Sequence, residues 1–343
     1  MTTQRNPRRF RIGIVAFAVF GGLTGYRSAL AEPVFMGLGD LPGGSFYSRA
    51  NGVSADGRTI VGASASASGA LEAFRWTFEE GMVGLGDLPG HDFLSEAFDV
   101  SADGSVIVGK GDSASGPYSE VFRWEGGVMT GLGDLSGGSF SSEARAVSAD
   151  GSFIVGQGNS DQGGEAFLWN AATGMVGLGD LPGGEFASQA RGVSDDGSVV
   201  VGRSQTGFGD DSEAFRWTES TGMVGLGFLP GPGGLSSATG VSSDGSVVFG
   251  YSDSDEGFQA FRWSAETGME ALGRFGPLAM SEDGTVMVGS FSQAVIWDEV
   301  NGIRDLEDVL EVDFGLDLSD WTLVSARDIS ADGTVIVGHG INP

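Results

Sequence analysis

Val53-Ser54-Ala55-Asp56-Gly57, followed by Arg58 and the run Thr59-Ile60-Val61-Gly62, decides the fold. Asp-Gly between two apolar runs signals a hairpin, because both residues tolerate the backbone of a tight turn. The pair returns as Asp103-Gly104, Asp150-Gly151, Asp196-Gly197, Asp244-Gly245, Asp283-Gly284 and Asp332-Gly333, at spacings of 47, 47, 46, 48, 39 and 49 residues. One unit of this length cannot bury its own apolar face, so neighbouring units must stack.

Outward from the turn, each unit reads as four short strands. In the first unit residues 50–54 precede the turn and the Ile/Val run follows it. A polar loop leads to Glu72-Ala73-Phe74-Arg75-Trp76, and a turn at Gly81 leads to Met82-Val83-Gly84-Leu85-Gly86. The third strand recurs as Phe122/Trp124, Phe167/Trp169, Phe215/Trp217, Phe261/Trp263 and Val295/Trp297. Residues two apart share a sheet face, so each pair supplies a large apolar contact to a neighbouring unit. Four strands per unit at this period predict an all-β fold, a β-propeller of about seven blades.

Six blades are complete in sequence, beginning near Ala50, Ala97, Ala144, Ala190, Ala238 and Leu278. Residues 34–38 are left over as a fourth strand, and residues 324–330 and 335–338 as a first and a second. The last blade is therefore expected to join both ends of the chain and to lack its third strand. The sixth unit is shortened over residues 273–278. The insertion at 305–321, with Leu306, Val309 and Leu310, predicts one short helix.

The first 31 residues read as an export signal. Arg5, Arg8, Arg9 and Arg11 precede an apolar region at 12–26, and Ala29-Leu30-Ala31 has the form of a cleavage site. Residues 32–343 are then a single repeat domain, outside the cell, at its surface or in the periplasm, with no membrane span. The net charge of −28 argues against nucleic acid and anionic membrane surfaces as partners. Cleavage removes five arginines, leaving 13 basic and 46 acidic residues, a net of −33. Absence of cysteine excludes disulfides and thiolate chemistry.

The repeat resembles the HAF-type repeat family of secreted bacterial proteins. Gly37-Leu38-Gly39-Asp40-Leu41-Pro42-Gly43-Gly44, the Val-Ser-Ala-Asp-Gly turn, Ile60-Val61-Gly62 and Ala73-Phe74-Arg75-Trp76 carry the resemblance, which covers residues 36–338. Glu72, Glu165, Glu213 and Gln259 stand where the family name implies histidine. The resemblance implies an exported propeller without an established biochemical role. The strand order also looks like a kelch blade.

Chemistry is sparse. Asp40, Asp87, Asp134 and Asp180 recur and would share one rim, but Phe228, Arg274 and Asp305 interrupt the series, so a turn-capping role outweighs a calcium ring. The acidic pieces Asp210-Asp211, Asp253-Ser254-Asp255-Glu256 and Asn159-Ser160-Asp161 lack the ligand spacing of a calcium loop, so only weak, non-specific Ca²⁺ association is expected and no cofactor. The turns differ from a sialidase Asp-box, because Asp and Gly are adjacent and an Ile/Val run follows. Arg75, Arg123, Arg216 and Arg262 recur on the third strand, where a structural carboxylate partner is expected. His91 and His339 have no ligand-spaced partner, Lys110 is the one lysine, and no catalytic or metal residue is assigned. The leading expectation is a non-enzymatic propeller presenting loops to a protein or glycan. The rival is a lyase or glycosidase with carboxylates and arginines in the axial cleft, which requires non-repeated residues such as Phe228, Tyr251 and Arg274 to gather there.

Overall fold

A computed structural model describes residues 33–342 except 91, 117 and 208–210, together with the backbone strand Gly13–Phe20. The architecture is an all-β propeller. Blade 1 consists of Ser48–Val53, Ile60–Ala65, Leu71–Thr77 and Gly81–Gly84, paired antiparallel in that order. Five more four-stranded blades follow, at 95–131, 143–177, 188–225, 236–273 and 276–305. The first strands touch one another round the ring and so line its axis.

The Asp-Gly turn builds itself from its own side chains. Ser54 Oγ donates to Asp56 Oδ1, which also accepts from Arg58 N, while Ser54 Oγ accepts from Thr59 N. Gly57 takes a φ of 71° at the turn. The same bonds recur at the other turns, as at Ser148, Asp150 and Ser152. Turns of adjacent blades are then stitched together, Ala55 N donating to Ala102 O and Ala102 N to Ala149 O.

Between blades the apolar seams repeat. Val61 and Ala73 of blade 1 pack with Ala97, Ile107 and Phe122 of blade 2, and Trp124 leans on the same cluster. Phe74, Phe122, Phe167, Phe215 and Phe261 are all fully buried. A serine at the start of the inner strand in blades 1–5 ties the seam through polar atoms. Ser95 Oγ of blade 2 accepts from Ala73 N of blade 1 and donates to Gly86 O. The glutamate before Ala-Phe is structural too: Glu72, Glu120, Glu165 and Glu213 each accept the N–H of a glycine after the fourth strand.

The ring ends in a sheet built on the pair Thr322–Ile329 and Val335–Asn342. Ile329 and Ile336 pack with blade 6, whereas Val335 and Val337 pack with Ala50 and Val53 of blade 1. Val53 N donates to Asp328 Oδ2 at 2.7 Å, and Ala331 N donates to Ala55 O at 3.2 Å. The circle is therefore closed by residues of the two pairing partners themselves.

The expectation that the third place of this last sheet stays empty is corrected. Gly13–Phe20 lies antiparallel between Val335–Asn342 and Val34–Gly39. An apolar run rich in Ile, Val and Phe suits an export signal and a strand alike, and an unpaired strand edge attracts such a run. The cleavage site at Ala31 lies outside the described residues. The insertion after blade 6 forms Leu306–Asp308, capped by Asp305 through Glu307 N and Asp308 N, and continues as a π-helical turn, Val309–Asp313. Leu306, Val309 and Leu310 are buried against the last sheet, as the leucine spacing predicts.

Candidate functional site

Antiparallel connectivity sorts the loops. The loops joining second to third strands and the Gly-Leu-Gly-Asp loops share one rim; the Asp-Gly turns share the other. The site candidates sort accordingly.

Asp87 Oδ2 accepts from Leu94 N and its Oδ1 from Leu88 N; Asp134 accepts from Leu135 N, Ser141 N and Asn159 N; Asp180 accepts from Ser204 Oγ. Burial raises the Asp87 and Asp180 carboxyls above the usual range, partly offset by these bonds. Each aspartate thus holds its own loop, and they do not converge. Among the described residues no three His, Asp or Glu side chains are placed to hold a metal. Arg75 pairs with Glu80 and Arg123 with Glu125, in the hairpin beyond the strand and on the same strand, while Arg216 Nη2 reaches Gly245 O at 3.4 Å. Of the repeat-breaking residues, Tyr251 lines a cavity at blades 3–5. Phe228 lies by Gly233, and Arg274 sits over the Phe291 ring at 5.7 Å, so the three do not gather. His91 lies outside the described residues.

A different set does gather. Every inner strand carries a bulge at the same place, just after its Ala as between Ala144 and Ala146, or after Pro277 in blade 6. A bulge leaves one residue without a ladder partner and re-aims its side chain. That residue is Asn51, Phe98, Arg145, Arg191, Thr239, Leu278 or Arg327 in turn. One cavity joins Arg49, Asn51, Glu96, Phe98, Lys110, Arg145 and Arg327 on the axis; a second, in blades 3–5, joins Gln157, Gln189, Arg203, Tyr251 and Asp253.

The charges pair incompletely. Arg49 pairs with buried Glu96, which also accepts from Asn51 Nδ2 at 3.1 Å. Arg145 and Lys110 share Glu143, the lysine at 3.5 Å, and Gln189 Nε2 reaches the same carboxylate at 3.4 Å. Arg145 also lies 5.0 Å from the Phe98 ring centroid. Arg191 Nε donates to Gln189 Oε1 at 3.1 Å. Arg327 and Arg203 have no carboxylate partner among the described residues. Six cations thus stand beside four carboxylates, Glu96 and Glu143 between the paired cations and Asp211 and Asp253 in the cavity that holds Arg203, in a chain of net charge −28.

Unmet hydrogen-bonding capacity collects in the same place. Of seven buried side-chain atoms without a partner among the described residues, five belong to the inner strands and their neighbours, the Nε atoms of Arg49, Arg145 and Arg327, His339 Nδ1 and the Oγ of fully buried Ser237; the Nε atoms of Arg123 and Arg304 lie on outer strands. Buried polar atoms are normally satisfied, so such a cluster marks a place for water or ligand. Burial, with Arg327 and Arg49 beside it, pushes His339 down to about 4. Its imidazole is neutral at pH 7. Burial likewise lowers Arg191 and Arg327 from the ordinary arginine range.

Two further carboxylates, Asp99 and Asp328, directly follow the bulge residues Phe98 and Arg327 and are engaged by main-chain N–H groups. Asp328 accepts from Val53 N and Ile329 N, and Asp99 from Val100 N and Val147 N. Burial pushes Asp99 up to about 6; burial and the charge of Asp99 push Asp328 up to about 8. A carboxyl whose native value is raised binds a proton that the unfolded chain has already released. Stability therefore falls as pH rises towards the native value. Between pH 6 and 8 the loss from Asp328 is expected to be about 2 kcal/mol at 1.4 kcal/mol per unit. Urea melts should show this slope in the natural chain and a flatter one in Asp328→Asn.

The axial residues carried no signal in the repeated motifs, because they are the positions at which the motif does not repeat. At this position the successive units carry Asn, Phe, Arg, Arg, Thr, Leu and Arg, after an Ala in every unit but the sixth, where Leu278 follows Pro277. Variation inside an otherwise regular repeat was the readable sign.

No family model matches the sequence, and a search of curated proteins returns no match. Among solved structures, TolB from Acinetobacter baumannii aligns at a TM-score of 0.47 and 12% identity, over 79% of this chain and 59% of that one. The chain thus spans under two thirds of that protein. A TolB-like protein from Agrobacterium tumefaciens aligns at 0.47 and 13%, over 96% and 99% of the two chains. A puromycin hydrolase S511A mutant complexed with PGG aligns at 0.52 and 15%, over 74% of this chain and 46% of that one. At such identities the likeness concerns the fold alone.

Proposed function

We propose that this chain is an exported, non-enzymatic propeller of the HAF-repeat kind that binds a partner at the mouth of its axial channel. The carrying observation is the inner wall: six cations against four carboxylates, with Arg203 and Arg327 unpaired and a cluster of unpartnered polar atoms, in a strongly acidic chain. An unpaired guanidinium in a half-buried wall costs desolvation that a bound anion offsets. The carbohydrate-active alternative needs a free acid and base. Glu96 and Glu143 are held by arginines, and Asp99 and Asp328 are committed to backbone N–H groups, which leaves Asp211 and Asp253 in the cavity at blades 3–5 as the carboxylates such a reaction would have to use.

The terminal sheet serves in this reading as a seventh blade. Export with cleavage after Ala31 would remove Gly13–Phe20 and leave the closing bonds of Asp328 and Ala331, which involve none of those residues. The test is a glycan array and a polysaccharide-cleavage screen on the exported protein, with its intact mass measured first. Mass starting at Glu32 and saturable binding without turnover are the expected results. Turnover of any polymer would end the binding reading, and an intact N-terminus would end the cleavage reading.

A further inference from the structure

We infer that the axial mouth takes an acidic glycan, its carboxylates met by Arg203, Arg191 and Arg327 and its hydroxyls by Gln157, Gln189 and Asn51. This rests on the proposal that the mouth is the binding site. Three features select the class. First, guanidinium groups match carboxylates in shape as well as charge, and Arg203 and Arg327 have no carboxylate partner among the described residues. Second, carboxamides line the wall between the cations. Gln157 Oε1 accepts from Gln189 Nε2 at 3.4 Å, and Asn51 Nδ2 reaches Ala97 O at 2.8 Å. Such groups both donate and accept, as a sugar hydroxyl requires. Third, the cavity at blades 3–5 is about 590 Å³, inside the range of a small-ligand cleft; only Ala187 and Leu235 give it aliphatic lining, and Asp211 and Asp253 in its wall leave room for hydroxyls beside them and direct a ligand carboxylate to Arg203. Tyr251, its ring 4.9 Å from Phe258, supplies a flat wall for a sugar ring.

An acidic peptide is disfavoured, since its apolar side chains would find little to pack against. The acidic exterior disfavours a densely charged polyanion. Carboxylates spaced along a hydroxylated chain fit both limits.

The probes are a galacturonic acid trisaccharide, the same trisaccharide methyl-esterified, and a triglutamate peptide, each titrated calorimetrically into the whole chain. The trisaccharide should bind saturably and weaken as salt rises, while its ester binds at least tenfold more weakly. Arg203→Gln and Arg327→Gln should each lower affinity about tenfold with an unchanged melting temperature. Arg58→Gln, on the opposite rim, should leave affinity unchanged. Equal binding of acid and ester, or indifference to both arginine substitutions, would overturn the inference. Binding of triglutamate alone, dependent on Arg327, would overturn the glycan class and leave the axial site standing. Binding insensitive to the axial arginines for all three probes would remove the site as well.

Discussion

Gly156→Ala is expected to destabilise the chain by at least about 4 kcal/mol, with much of the protein insoluble. Gly156 is the glycine of the Ile-Val-Gly run in blade 3. A Cβ there would stand 2.0 Å from Glu143 O and 3.0 Å from Ala144 Cα, both main-chain atoms of the inner strand. Neither can withdraw without opening the Ala144/Ala146 bulge. The approach recurs in the other blades, at 2.0 Å for Gly62 and Gly109 and 1.9 Å for Gly202. Gly174, at a φ of 70° with open space around it, is the control, and its replacement by alanine should cost only about 1 kcal/mol. Equal losses in chemical melts would show that the close approach is not what the motif protects. The bulge also aims Arg145 into the axis, so the glycine that permits it connects the repeat to the site.

Phe167→Ala should cost about 3–5 kcal/mol, the ordinary range for emptying a fully buried aromatic site. Its ring is fully buried in the seam that joins Val106, Val108 and Val121 of blade 2 to Ala144, Val147 and Ile154 of blade 3. It also lies opposite two glycines, Gly156 and Gly177, which have no side chain to move into the void. Trp169 is only half-buried, so Trp169→Ala should cost clearly less. Denaturant melts of the two variants order them. A larger loss at Trp169 would place the seam's main contact on the wrong residue of the pair.

The six four-stranded blades and their strand order were readable because they depend on local chemistry. Asp-Gly turns specify hairpins within a few residues, and the Phe-x-Trp spacing assigns a sheet face whatever the strand later meets. Even the helical insertion was visible from Leu306, Val309 and Leu310, which repeat on one side of a helix.

What tertiary structure alone decided lies at two places. One is the third place of the last sheet, where Gly13–Phe20 satisfies two strand edges separated by most of the chain. Signal and strand favour the same apolar residues, so composition could not separate them. The other is the axial wall. Arg49, Arg145, Arg191 and Arg327 come from different units, far apart in sequence, and none belongs to a motif. They meet because the ring brings every inner strand to one axis and the bulges turn an unpaired residue inwards. Local sequence determines a strand; only closure of the circle determines which side chains from separate strands share a charge environment.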